Sequence, residues 1–237
     1  MRVKAIILAG GKGTRLQGVV SDVPKPMAPI AGKPFLEYLI LQLKSYSVRD
    51  IVLSVGYKKE DIISFFSTGL QWGVTITYAE ETMPLGTGGA IRQALTSIQD
   101  QDVLVLNGDS YVHVDVARYM EWHRTKQCIA SLVATSIENT DRYGTVELDR
   151  DERIHNFTEK GERKGPGWIN AGVYLFHRSV FNPIPASEFC SLEKEILPNL
   201  LGKGLYGYKC TGEFIDIGTP ESYHQAAAFF STLKNRN

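Results

Sequence analysis

Hydrophobic positions in the first half of the chain follow two alternating rhythms. Short apolar runs at Val3–Leu8, Asp50–Val55, Val74–Tyr78, Asp102–Leu106 and Ile129–Thr135 read as buried strands. Between them the period changes. Leu36, Leu39, Ile40 and Leu43 recur at i, i+3, i+4 and i+7, which gives a helix one apolar face, and Pro34 suits its first turn. Further helices are predicted over Glu60–Phe66, Gly88–Leu95 and Val116–Thr125. Strands alternating with helices predict a parallel, doubly wound α/β sheet with helices on both faces. Ligands of such a sheet gather at the carboxyl ends of its strands.

The rhythm breaks beyond residue 140. Tyr143–Leu148 and Arg153–Thr158 form a predicted hairpin around Asp149-Arg150-Asp151-Glu152. Trp168–Phe176 is a further strand, Ser191–Leu201 a short helix and Thr219–Leu233 a terminal one. No low-complexity linker and no internal repeat divides the chain, so its 237 residues read as one domain, 1–237, with a substantial core. Lys plus Arg balance Asp plus Glu at 26 each, so no overall field draws the protein to nucleic acid or an anionic membrane. Any phosphate site must be a local concentration of charge. The three cysteines form neither C-x-x-C nor a metal-ligand pattern, and reduced thiols are the simple reading. No apolar stretch approaches a membrane span. The N-terminus enters a strand without a signal-peptide h-region, so a cytoplasmic protein is expected.

The chemistry concentrates in a few segments. Leu8-Ala9-Gly10-Gly11-Lys12-Gly13-Thr14-Arg15-Leu16 follows the first strand and is closed by Pro24-Lys25-Pro26-Met27. Glycines let such a loop turn sharply and approach a ligand closely. Successive backbone N–H groups can surround phosphate oxygens, and Arg15 and Lys25 add two positive charges. The loop is a place for a nucleoside triphosphate. It is neither a P-loop nor G-x-G-x-x-G, because Lys12 stands between the glycines and Leu16 occupies the third glycine position. Asn107-Gly108-Asp109 closes the fourth strand. Alone it reads as a turn, but Asp216, before Ile217-Gly218-Thr219-Pro220, is a second strand-end carboxylate. Two carboxylates from distant parts of a chain can hold one Mg²⁺ against a polyphosphate. His155 and His177 flank strands without a partner at catalytic spacing and read as packing or surface residues. Phe65-Phe66 and Phe229-Phe230 read as packing residues too.

The Gly-Thr-Arg loop followed by Pro-Lys-Pro resembles the signature of the sugar-1-phosphate nucleotidyltransferases, and the resemblance covers the whole chain. It implies a Rossmann-like doubly wound mixed sheet of the glycosyltransferase-A-like type in a single domain. The nucleotide-binding half would cover residues 1–110 and the sugar-phosphate half 111–237. Leu8, Ala9, Gly10, Gly11, Gly13 and Thr14 would wrap the nucleotide, with Arg15 on the leaving phosphates, Lys25 near the reacting centre, and Asp109 and Asp216 on the metal. Arg15, Lys25 and Asp109 would be catalytic. The segment Glu80-Glu81-Thr82-Met83-Pro84-Leu85-Gly86-Thr87-Gly88-Gly89 would pack against the nucleobase. A carboxylate only accepts hydrogen bonds, so Glu80 or Glu81 suits guanine's adjacent N1–H and amino donors. The backbone of Leu85, Gly86, Thr87 and Gly88 is the competing reader.

By the same resemblance, Lys160 would bind the sugar phosphate and Glu159 the sugar hydroxyls, flanked by Tyr143-Gly144 and Asn170-Ala171-Gly172. The partners are then a nucleoside triphosphate and a sugar 1-phosphate, and a homo-oligomer is left open. Leu-Gly-Thr-Gly-Gly, Leu-Asn-Gly-Asp-Ser and Gly-Trp-Ile-Asn-Ala-Gly-Val-Tyr most resemble the D-glycero-α-D-manno-heptose 1-phosphate guanylyltransferase branch, which makes GDP-heptose for surface polysaccharides. Mannose-1-phosphate guanylyl-, glucose-1-phosphate thymidylyl- and muramate-1-phosphate uridylyltransferases are the alternatives. A silent nucleotide-sugar-binding subunit would be expected to lose the loop arginine or a metal aspartate, and this chain keeps both. Hexapeptide repeats, which some relatives append, are not seen, so no second acyltransferase activity is expected.

Overall fold

The computed structural model describes residues 3–13, 16, 18–20 and 22–234; Thr14 and Arg15 of the glycine-rich loop lie outside the described residues. In chain order the elements are β1 (Lys4–Leu8), β2 (Pro29–Ile30), β3 (Lys33–Pro34), α1 (Phe35–Ser45), β4 (Asp50–Val55), α2 (Lys59–Phe66), β5 (Thr75–Glu80), α3 (Gly86–Ala94), β6 (Asp102–Asn107), β7 (Ser110–Val112), α4 (Val116–Lys126), β8 (Ala130–Ile137), β9 (Thr145–Leu148), β10 (Ile154–Thr158), β11 (Gly167–His177), α5 (Leu197–Asn199), β12 (Leu205–Cys210), β13 (Phe214–Asp216) and α6 (Pro220–Lys234).

The main sheet runs β10-β9-β11-β6-β1-β4-β5. Its half from β6 to β5 is parallel, as the sequence predicts, with Leu8 opposite both Ser54 and Asn107 and with Val55 opposite Glu80. This register brings four strands to their carboxyl ends at one level. The sheet as a whole is mixed. Antiparallel β11 inserts between β6 and β8, and β12, which the sequence pattern did not reveal, runs parallel to β8. Gly207 inside β12 obscures the apolar alternation that would have marked it.

Successive side chains of each strand face opposite sides of the sheet. Ala5 and Ile7 of β1 and Leu104 and Leu106 of β6 enter one core with Phe35, Leu39, Tyr119 and Phe230 of the helices. Ile6, Val103, Val105, Tyr174 and Phe176 enter the other, under α3, Phe181 and the Leu192–Leu197 segment. The helices therefore cover both faces. The amphipathic spacing of α1 is realised with Phe35, Leu36, Leu39, Ile40 and Leu43 all buried, and Pro34 sits one position earlier than expected, as the N-cap. Asp115 caps α4 by accepting from Arg118 N at 2.9 Å, a stabilising pattern worth about 1 kcal/mol. The short helix expected over Ser191–Leu201 is a π-helical turn, Leu192–Ile196, running into α5. Pro198 lacks the N–H that would continue regular pairing there. Among the described residues no helix is long and apolar enough to cross a membrane.

Two irregularities shape the centre. β7 and β13 form a separate antiparallel ribbon with Asp216 opposite Ser110, and Ile217 N donates to Asp109 O at 3.0 Å. β11 slips register against β8 between Asn170 and Tyr174. Gly172 stands in that bulge with φ +78°, a conformation L side chains rarely adopt.

Candidate active site

The carboxyl ends of β1, β4, β5 and β6 open into a cleft of about 790 Å³. Because β5 and β10 end the sheet path on opposite sides, residues following them reach the cleft from opposite ends. Glu81 enters from the β5 end and Glu159 and Lys160 from the β10 end, with Asp109 and Asp216 also in the lining. Leu8, Gly10, Gly11, Lys25, Gly86, Thr87, Tyr143, Gly144 and Asn170 line it as well. Of the other expected residues, Ala9 and Gly13 border a smaller adjoining recess of about 230 Å³, shared with Lys25 and Asp109. Leu85 is buried behind the cleft wall, and Gly88 packs against Cys190 and Ile196. Gly172 lies against Ser110 and Asn107.

The two glutamates separate. Glu80 is exposed, pairs with Lys59 at 2.8 Å, and is not among the lining residues. Glu81 turns inward. Its Oε2 accepts from Leu85 N at 3.1 Å and its Oε1 from Ser54 Oγ at 3.4 Å. Burial pushes its pKa up, with these two hydrogen bonds opposing the shift. Gly10 makes room for it, since a Cβ there would lie 2.4 Å from Oε1. Of the competing backbone reader, Leu85 and Gly88 N are engaged elsewhere, while Gly86 and Thr87 line the cleft. Leu85 N–H is on Glu81, Leu85 O accepts from Cys190 N, and Gly88 N and Gly89 N both donate to Cys190 O.

Each strand-end aspartate carries a cation. Lys25, its side chain 10% exposed, pairs with Asp109 at 2.5 Å. Arg142 donates to Asp216, to Thr219 Oγ1 at 2.6 Å and to Tyr143 Oη at 2.5 Å. Tyr143 also donates to Asp216, and Gly218 N donates to its Oδ1 at 2.6 Å. Burial, then the Asp216 carboxylate, push the Tyr143 phenol up to about 12, so it stays a donor. Among the described residues no group of three or more His, Cys, Asp or Glu is arranged to hold a metal. A cation here would therefore rest on two carboxylates and take its remaining ligands from substrate and water, which is the habit of Mg²⁺.

The expectations did not include Arg142, although it directly precedes the Tyr143-Gly144 pair that was singled out. They also missed the Phe189–Lys194 segment, where Thr87 Oγ1 donates to Glu193 Oε2 at 2.7 Å and accepts from Leu192 N at 2.8 Å. These partners lie 106 and 105 positions apart in sequence, so no local pattern could announce them. His155 is exposed and His177 binds Ser179 Oγ at 2.7 Å; neither lines the cleft.

A doubly wound sheet with a glycine-rich loop after β1 and carboxylates facing one cleft places a ligand site at the carboxyl ends of the parallel strands. The nucleotidyl transferase family model matches residues 4–232, and the chain belongs to that family. It is 40% identical over 225 residues to the D-glycero-alpha-D-manno-heptose 1-phosphate guanylyltransferase of Aneurinibacillus thermoaerophilus, covering 94% of this chain and 96% of that protein. It is 39% identical to the protein of the same name from Campylobacter jejuni over 224 residues, covering 94% and 97%. Among solved structures, HddC from Yersinia pseudotuberculosis superposes with a TM-score of 0.86 at 35% identity, covering 96% of this chain and 99% of that one. The same protein complexed with GMP-PN gives a TM-score of 0.85.

Proposed function

We propose that this chain transfers the guanylyl group of GTP to D-glycero-α-D-manno-heptose 1-phosphate, giving GDP-heptose and pyrophosphate. The observation that carries the reading is the polarity of the cleft. An inward-facing, acceptor-only Glu81 stands at one end and Lys160 at the other, with two carboxylates also facing it. Relatives named as heptose 1-phosphate guanylyltransferases, matched over nearly their whole length, support it. Such an activity would supply an activated sugar for surface polysaccharide, made in the cytoplasm.

A non-bridging oxygen of the sugar phosphate forms a bond to the α-phosphorus of GTP. The bond from that phosphorus to the β-phosphate oxygen breaks, and pyrophosphate leaves with the electron pair. The attacking monoester is already anionic, so the protein need not remove a proton. What it must do is align two anions that repel each other and stabilise charge at the reacting centre. Lys160 holds the sugar phosphate and Glu159 accepts from sugar hydroxyls. Lys25 counters phosphate charge beside Asp109, and Arg15 holds the leaving phosphates. Asp109 and Asp216 would hold Mg²⁺, which would supply charge neutralisation at the triphosphate. The donor set fits, being two hard oxygen ligands, one in the turn between β6 and β7 and one at the end of β13.

The test is a panel of GTP, ATP, UTP and dTTP against heptose, mannose, glucose and muramate 1-phosphates, read by pyrophosphate release. GTP with the heptose phosphate should give the highest kcat/KM. Preference for UTP or dTTP would refute the guanylyl assignment, and preference for mannose 1-phosphate the heptose one.

A further inference from the structure

Asn107 ends β6 opposite Leu8 of β1 and lines the cleft, two positions before Asp109. Its amide lies near the phenol of Tyr174, a fully buried residue that takes a hydrogen bond from Asn170 Nδ2 at 2.8 Å. Asn170 is fixed in turn, its Oδ1 accepting from Gly172 N at 3.1 Å. Asn107 Oδ1 is buried and has no hydrogen-bond partner. A buried acceptor left in this state is costly, and native folds leave few of them. The amide also has little room to turn away. A Cβ on Gly172 would lie 2.9 Å from Asn107 Nδ2 and 3.0 Å from Asn107 Cβ, so the bulge in β11 closes directly onto it.

The surroundings restrict what can satisfy that oxygen. The nucleobase end is remote, because β6 and β5 are separated by β1 and β4 in the sheet order. A phosphate is excluded by charge, since an acceptor oxygen offers nothing to an anion. On its other side β6 pairs with β11, the strand that brings Asn170 to the cleft. A sugar hydroxyl both donates and accepts and therefore suits the amide in either orientation. We infer that Asn107 binds a ring hydroxyl of the sugar 1-phosphate through its unpartnered Oδ1 and is a specificity-determining residue for the sugar, an assignment that rests on the sugar-1-phosphate guanylyltransferase reading above. The carboxamide on its Tyr174–Asn170 support is the rigid end of the contact, and a sugar lacking that hydroxyl leaves Oδ1 unsatisfied.

The test is a kinetic cycle. Wild type and Asn107→Ala are assayed with GTP and D-glycero-α-D-manno-heptose 1-phosphate or its 2-, 3- and 4-deoxy analogues. Wild type should lose about tenfold to a hundredfold in kcat/KM when one particular hydroxyl is removed. Asn107→Ala should lose a similar factor on the intact sugar, keep its KM for GTP within about twofold, and no longer distinguish that analogue from the parent. The wild-type panel stands alone should the variant fail to fold, since no deoxy analogue losing activity would by itself overturn the assignment. Identical analogue penalties in the two proteins, or a defect confined to the KM for GTP, would overturn it too. No pyrophosphate release by wild type from GTP and the intact sugar would instead remove the underlying reaction reading, and the inference with it.

Discussion

Replacing Glu81 by Gln tests base recognition with almost no change in shape. In the wild type each carboxylate oxygen accepts one internal hydrogen bond, from Leu85 N at 3.1 Å or Ser54 Oγ at 3.4 Å. Each oxygen keeps a further lone pair, enough for the adjacent N1–H and amino group of guanine. Gln removes the charge and turns one acceptor into a donor facing a donor. A hydrogen bond to a charged group is worth about 1.5–3 kcal/mol. The cleft is open to water, so a total loss of about 2–3 kcal/mol is the reasonable figure, roughly 30- to 150-fold in kcat/KM for GTP. The assay compares GTP with ITP, which lacks the amino group. Wild type should prefer GTP by roughly tenfold or more, and Glu81→Gln should reduce that preference to within about threefold. Glu80→Gln is the internal control, because Glu80 pairs with Lys59 outside the cleft lining. Acidification gives a second reading. Burial raises the Glu81 pKa, so the carboxylate is lost as pH falls through a value above the usual carboxylate range of about 4.3. The KM for GTP should therefore climb on the acid side in wild type and stay flatter in Glu81→Gln. An unchanged GTP-to-ITP ratio in Glu81→Gln would refute the reasoning.

Lys160→Ala should raise the KM for the sugar 1-phosphate about ten- to a hundredfold, the cost of one charge-assisted contact, with the KM for GTP little changed; unchanged sugar-phosphate binding by calorimetry would count against the role given to Lys160. Asp109→Ala should abolish turnover in a folded protein and weaken Mn²⁺ binding, followed by electron paramagnetic resonance in the presence of GTP; near-normal pyrophosphate release would remove Asp109 from the site. Burial pushes the Cys128 thiol up to about 11 and raises Cys190 and Cys210. At pH 8 roughly one Cys128 in a thousand is then a thiolate, so Cys128 should react with a disulfide reagent about a hundredfold more slowly than in the unfolded chain, and Cys190 and Cys210 should also be slowed; a fast-reacting native Cys128 would contradict this burial.

How much of the site could be read in the sequence follows from how local each signal is. The glycine loop and its lysine announce themselves because phosphate chemistry needs particular residue types at fixed short spacing. The parallel half of the sheet is equally plain, since the apolar runs of β1, β4, β5 and β6 depend on burial alone. The choice between Glu80 and Glu81 was not legible. Which of the two faces the cleft depends on strand parity, which points successive side chains to opposite faces, and on Lys59 of a neighbouring helix, which pairs with Glu80. Arg142 was hidden for a different reason. An arginine before a tyrosine is unremarkable until β13 brings Asp216 beside it.

Asp109 and Asp216 come from distant parts of the chain and line one cleft, with the small β7–β13 ribbon setting Asp216 opposite Ser110. Two carboxylates so placed would repel each other in an otherwise neutral protein. The fold answers with Lys25 on one and Arg142 with Tyr143 on the other. A pair of acids neutralised in this way can persist in a half-buried cleft without a bound cation. If these aspartates hold a metal as proposed, a cation arriving with the nucleotide would compete with Lys25 and Arg142. Metal affinity in the free protein should then be modest and rise when the triphosphate adds its own oxygens. On the proposed reading, such coupling would follow from the placement of Lys25 and Arg142 on the two aspartates.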